Sequence, residues 1–481
     1  MIKKFTLKQF ALTGLFMFFM PLTQSCQKVN SIALQGQTGS KKSALSTTAT
    51  TFANATGKQI YFPTYIWDGV ANQYIVQNRS DYDNVSSRFC TSRSAVTDNF
   101  IIFWEAGYGT NPETAPDGYR VSMTNIESRL ESMYALYRDS LKFVNKGSSL
   151  TDTYRMVVYL FYNKDFGTVY GSGSDDKVGT MLLYPSRLQG EPYGALAHEL
   201  GHAFQYMVHC DGKIGFSDGT HWEMSSQYML WRYYINWPIF ESYHVNAFLT
   251  QTYLSFTHED NQYHSPFVLE YWANKRGESF IGTLWNSAQT GDDFVMTYKR
   301  LMGQTQAAFN DEMFDACRRF ITWDIDRDRS TMASFSNMHT STLNLLSNGW
   351  LQIAATNAPQ NYGYNGIRLN VPAANTVVTV NFKGLTSASG YNIINPSKAG
   401  WRYGFVAEKT DGTRVYSAIG NSVNGTKSFT VPANTSYLWL VAMGAPTEHW
   451  KHNADFNNAN DEQWPYQIKL SGTTVNSSFI K

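Results

Sequence analysis

Seven of the ten histidines in this chain of 481 residues fall between His198 and His264. Histidines that serve packing alone would be scattered, so this stretch is where chemistry is expected. Two of them stand four apart in Gly194-Ala-Leu-Ala-His198-Glu199-Leu200-Gly201-His202-Ala-Phe-Gln-Tyr206. The apolar and small residues around them repeat with helical spacing, and on a helix positions i and i+4 share one face. Two imidazoles so placed can reach one metal ion at about 2.0–2.1 Å. Glu199 is rotated off that line, where its carboxylate can take a proton from water polarised by the metal.

A zinc ion that acts on substrate needs a third protein ligand and an open position. His209 lies about 10 Å beyond His202 along a continuous helix, too far to share the ion, and reads as a helix-end residue. Gln205 and Val208 stand where the HExxHxxGxxH pattern has its glycine and last histidine, which excludes that pattern. Glu223, in His221-Trp-Glu-Met-Ser-Ser-Gln227, is better placed. Twenty residues separate it from His202, enough for a loop over 211–219 and a returning helix. His221 is the alternative third ligand. Gln227 falls one turn after Glu223, where its amide can hold the far nitrogen of a metal-bound histidine.

HExxH followed by a helical glutamate at this distance resembles the gluzincin class of zinc metallopeptidases, and is compatible with its enhancin-like, mucin-targeting branch. The run from Val178 through His198 and His202 to Glu223 also resembles secreted bacterial lipoproteins of unassigned function that carry a zincin-like domain. The motifs cover some fifty residues. The resemblance implies zinc (Zn2+) held by His198, His202 and Glu223, with Glu199 as general base. It implies that the strand Val178–Tyr184 is an edge strand holding extended substrate by backbone pairing. It also implies a Tyr or His that steadies the developing oxyanion: Tyr263 or His264, with Tyr228 and Tyr234 as alternatives. Gln227 stands where well-known gluzincins place an acid.

The rest of the chain frames this centre. Charged residues make up 16% and aromatics 15%, which excludes a disordered protein. Lys plus Arg total 39 against 38 Asp plus Glu, so a nucleic-acid partner is not expected. Lys3, Lys4 and Lys8, the apolar run Phe10–Leu22 and Thr23-Gln-Ser-Cys26 resemble a bacterial lipoprotein signal. Residues 1–25 are then removed and Cys26 is acylated, anchoring the protein to a membrane. An exported, outer-membrane lipoprotein follows, facing the periplasm or the cell surface. Loss of three lysines leaves 36 basic against 38 acidic residues. Of the remaining Cys90, Cys210 and Cys317, at least one thiol is free, and pairing of Cys90 with Cys210 is open. No CxxC spacing offers a thiolate zinc site.

Residues 26–57 are rich in Ser, Thr, Ala and Gln and read as a flexible tether. The fold class is α+β. A zincin-like unit over 58–345 combines a mixed sheet, an active-site helix and a helical part, with Tyr154–Tyr162 as its central strand. A β-sandwich follows over 346–481, where short strands alternate with turns such as Asp411-Gly412. Trp401, Trp439, Trp450 and Trp464 lie in it and read chiefly as core, with glycan stacking as the functional alternative. Asp455, Asn457, Asn458, Asn460, Asp461 and Glu462 read as a solvated loop. These features together predict a lipid-anchored zinc endopeptidase acting on extracellular or host protein or glycoprotein. The alternative is a non-catalytic lipoprotein that binds glycan or protein through its β-region.

Overall fold

Unbroken apolar runs make buried strands, and two such runs organise the first half of the chain. The computed structural model describes residues 57–481. The expected signal segment 1–25, Cys26 and nearly all of the expected tether lie outside the described residues. A hairpin of β1 (Tyr65–Asp68) and β2 (Gln73–Val76) precedes a mixed sheet. Its strands are β3 (Ser94–Val96), β4 (Phe100–Trp104), β5 (Met156–Leu160), β6 (Tyr170–Ser174) and β7 (Val178–Leu183), in the order β3-β4-β5-β7-β6. β4, β5 and β7 are parallel and buried at every residue, while β3 and β6 run antiparallel at the two edges. β5 is central, as its sequence predicts.

The strand Val178–Leu183, expected at the edge, is interior: it pairs with β5 on one side and β6 on the other. The edge on that side is β6, whose sequence Tyr-Gly-Ser-Gly-Ser carries no β-branched residue and only one aromatic, a weak strand signal. Its glycines have a packing purpose. A Cβ at Gly171 would collide with the backbone carbonyl of Glu199, and one at Gly173 would enter the ring of Tyr206. The edge strand therefore lies hard against the helix that carries HExxH.

That helix is α2 (Gly194–Cys210), which packs across β6 and β7 and against α1 (Met123–Ala135). α1 buries Met123, Ile126, Leu130, Met133 and Tyr134 at helical spacing, and Ser122 caps it by accepting from the Asn125 N–H. The helical part continues with α3 (Gly219–Tyr233), α4 (Trp237–Phe240), α5 (Ser242–Thr250), α6 (Phe267–Arg276), α7 (Phe280–Ser287), α8 (Phe294–Met302) and α9 (Gln306–Phe320).

Two antiparallel sheets follow. Their strands are β8 (Leu343–Leu345), β9 (Leu351–Ile353), β10 (Tyr364–Leu369), β11 (Val377–Gly384), β12 (Trp401–Lys409), β13 (Arg414–Tyr416), β14 (Asn424–Thr430), β15 (Thr435–Gly444) and β16 (Tyr466–Ser471). One sheet has the order β10-β15-β12-β13, the other β14-β11-β16-β9-β8. Phe382 of β11 stacks on Tyr403 of β12 with ring centres 4.1 Å apart, joining the two sheets. Trp401, Trp439 and Trp464 are 0% exposed and belong to this core, so they offer no face to a sugar. α9 packs on β12 and β15, and Asn310 donates to the carbonyls of Ala445 and Pro446. One apolar core runs through both halves of the chain. Cys90, Cys210 and Cys317 are all free thiols, so Cys90 and Cys210 do not pair. Among the described residues no helix is long and apolar enough to cross a membrane.

The contact between β6 and α2 yields a stability test. Gly171→Ala puts a methyl group against backbone that cannot rotate away, and is expected to cost about 1–3 kcal/mol. Urea denaturation would show this as a lowered midpoint at unchanged slope; an unchanged midpoint would contradict the close packing.

Candidate metal centre

Two helices bring the predicted ligands together, and a glycine sets their separation. At Gly201 of α2 a Cβ would meet the Ser226 hydroxyl and lie 3.2 Å from the Ser226 Cα of α3. Only glycine lets the helices approach this closely. Ser226 donates its hydroxyl to the carbonyl of His198, fastening α3 to the first turn of the motif. Asp218 caps α3 by accepting from the Thr220 N–H at 2.9 Å. Glu223 then faces the two histidines. All three are buried, at 5% exposure for His198, 6% for His202 and 7% for Glu223.

His198 Nε2 and His202 Nε2 are 3.0 Å apart, and Glu223 Oε2 lies 3.1 Å from the first and 3.2 Å from the second. The vertices of a tetrahedron with metal–ligand bonds of about 2.0–2.1 Å are about 3.3 Å apart, so the triangle has the size a zinc ion would need. The protonation pattern points the same way. Gln205 gives its amide N–H to the Trp222 carbonyl at 2.8 Å, so its Oε1 must be the atom 2.8 Å from His202 Nδ1. Gln227 likewise gives its N–H to the Tyr263 carbonyl at 3.2 Å and turns Oε1 to His198 Nδ1 at 2.6 Å. Amide oxygens only accept, so both Nδ1 atoms carry hydrogen and both Nε2 atoms present lone pairs. Two lone pairs and a carboxylate oxygen thus converge on one point, a donor set that fits a cation.

Electrostatics match this geometry. Burial alone would raise the Glu223 carboxyl and lower His202. Their mutual attraction outweighs burial, so Glu223 is held below and His202 above its ordinary value. Without metal, one proton therefore sits on the pair over a wide pH range. Its stabilisation is lost as pH falls through the lowered Glu223 value or rises through the raised His202 value.

Glu199 is 1% exposed and lines a cavity of about 380 Å³ beside the ligands, together with Tyr263, whose ring centre is 6.2 Å from that of His198. His264 is not among the residues lining it. Its Nδ1 meets His244 Nδ1 at 2.7 Å, and burial first, then the His264 ring, hold His244 at about 2. Tyr228 is buried, and Tyr234 donates its hydroxyl to Glu191. His221 points away from the ligands: its ring lies between Phe216 and Phe294, and Nε2 accepts from the Phe294 N–H at 3.2 Å. His209 stacks on Trp222 at the end of α2. The sequence reasoning passed over Gln205 as a functional residue; it lies three residues after His202 on the same face, the spacing logic that found Gln227. It also missed β6, which lines the cavity with Tyr170, Gly171 and Ser172.

Two outcomes follow for metal binding. Gln205→Leu and Gln227→Leu should each weaken zinc about 10–100-fold in a competition with a chromophoric chelator, because the imidazole tautomer is no longer held. Zinc must also displace the proton shared by His202 and Glu223, so apparent affinity should rise about tenfold per pH unit from pH 6 to 8. A pH-independent affinity would contradict the convergent lone pairs.

No curated protein matches the chain. The model of a family of unknown function, DUF6055, matches residues 52–477, which include the centre, its cavity and all three larger sheets. The chain belongs to the DUF6055 family.

Proposed function

We propose that this protein is a zinc-dependent endopeptidase of gluzincin type, with a zincin-like first half and a β-sandwich second half. The observation that carries the proposal is the convergence of His198 Nε2, His202 Nε2 and Glu223 Oε2 within 3.2 Å of one another, beside the buried carboxylate of Glu199. A bound Zn2+ would supply Lewis acidity, polarising a carbonyl and making water acidic. Glu199 takes the proton of the attacking water and returns it to the departing amine. Tyr263, which lines the same cavity, is the residue that hydrogen-bonds the oxygen that gains negative charge in this reading. Extended substrate is held by backbone pairing along β6, which ends the sheet and borders the cavity. The amides of Gln205 and Gln227 orient the imidazoles without adding negative charge, leaving more positive character at the ion than two acids would.

The basic start of the chain, its apolar run and Cys26 support export and anchoring of this enzyme at a bacterial outer membrane. Its substrate is then protein or glycoprotein outside the cytoplasm. Glu199→Gln should retain zinc and lose about 10²–10⁴-fold in hydrolysis of a proteome-derived peptide pool. Equal cleavage by the mutant would contradict the role of Glu199. Failure of the wild type to hold zinc after metal re-addition would favour the non-catalytic binding protein instead.

A further inference from the structure

The segment between β15 and β16 crosses from the C-terminal sheets to the mouth of the metal-centre cavity, where Ala454 and Phe456 form part of the wall. It is tied down by charged pairs. His449 Nε2 meets Asp293 Oδ2 at 2.8 Å, Lys451 Nζ lies 3.7 Å from Asp218 Oδ2, and His452 Nε2 meets Glu259 Oε2 at 2.7 Å. Asp461, 6% exposed, accepts from His258 Nε2 at 3.0 Å and from Gln360 Nε2 at 3.0 Å. The end of the supposed solvated loop is thus a buried anchor.

His258, His452 and Asp461 lie close enough to suggest a second cation site. Their hydrogen bonds argue against it. His258 Nδ1 accepts from the Asp260 N–H at 3.0 Å, so Nε2 carries the hydrogen and gives it to Asp461. The nitrogen that would face an ion is occupied by a proton. The cluster is a tether, and what it holds in place is Phe456.

Phe456 is 74% exposed, the most exposed large apolar side chain among the described residues. Its φ is 56°, in the left-handed region that a bulky side chain rarely adopts. Its N–H donates at 2.6 Å to Glu259 Oε1, and that carboxylate is 3% exposed and paired with His452. The backbone is thereby fixed in a conformation that leaves the ring in solvent at the cavity mouth. An apolar ring kept in water by a strained and well-tethered backbone is arranged for contact with something that arrives later. Trp222 and Tyr263 line the same cavity, while Asp218 and Glu259 are already engaged with Lys451 and His452.

We infer that Phe456, supplied by the C-terminal unit, is a specificity-determining residue that selects a bulky apolar or aromatic side chain of the substrate beside the metal centre. This rests on the peptidase proposal, and the two can be separated. The full-length Glu199→Gln protein, loaded with zinc, is titrated calorimetrically with the blocked tripeptides Ala-Phe-Ala, Ala-Lys-Ala and Ala-Asp-Ala. Ala-Phe-Ala should bind most tightly. Adding Phe456→Ala should weaken Ala-Phe-Ala about tenfold, as loss of one buried aromatic contact does, and leave the other two peptides unchanged. Phe456→Leu should restore most of the affinity. Equal binding of Ala-Phe-Ala with and without the Phe456 ring, preference for the lysine peptide, or no binding of any peptide would overturn the assignment. Hydrolysis of longer peptides by wild type is measured alongside. Absent hydrolysis with intact discrimination supports the role of Phe456 and removes only the peptidase proposal; hydrolysis with a residue preference indifferent to Phe456→Ala removes only the role of Phe456.

Discussion

Two imidazole lone pairs and a carboxylate oxygen held 3.0–3.2 Å apart in a buried site repel one another unless positive charge lies among them. Everything around the centre serves to maintain that arrangement. Gly201 lets α3 come within contact of α2, Ser226 ties α3 to the His198 carbonyl, and two glutamines fix the histidine tautomers. Each glutamine is itself fixed, because its N–H group is spent on a backbone carbonyl. The chain of constraint therefore runs from backbone to amide to imidazole to the point where the lone pairs meet. Neutral amides in these two positions orient the ligands as acids would, at the cost of some ligand basicity.

Much of this was legible because it is local. The helix over HExxH, the return helix with Glu223 and the position of Gln227 all follow from turn spacing, which a single sequence displays directly. Gln205, three residues after His202, carries an equally local signal, but it stands where the HExxHxxGxxH pattern has glycine, which masks its role as a partner of His202. The central strand β5 was legible from its apolar run, whereas the edge strand was expected at Val178–Tyr184 and lies instead at Tyr170–Ser174. An edge strand that is glycine and serine after its first residue, Tyr170, carries few of the side chains by which strands are recognised. Its glycines are explained only by the helix that lies on them, and that contact is not a property of the segment alone.

The C-terminal half was legible as short strands and turns, and the burial of Trp401, Trp439 and Trp464 agrees with the core expectation, whereas Trp450 is only partly buried against that core. What could not be read was its partnership with the candidate metal centre. His258 and Asp461 are 203 residues apart in sequence, and Glu259 and Phe456 are separated by 197. No spacing rule links such pairs. The structure joins the first pair by a histidine–carboxylate contact and the second by the Phe456 N–H on the Glu259 carboxylate, which turns a segment that reads as solvated into part of the cavity wall beside the candidate metal centre. The two halves thus share both a core and a cleft.

The claim on which the rest depends is the identity of the three ligands. Zinc K-edge X-ray absorption of the zinc-loaded full chain tests it directly. Four light-atom neighbours at about 2.0–2.1 Å, with the multiple scattering of two imidazoles that falls to one in His202→Ala, is the expected result. A six-coordinate oxygen shell, or a spectrum unchanged by His202→Ala, would contradict it.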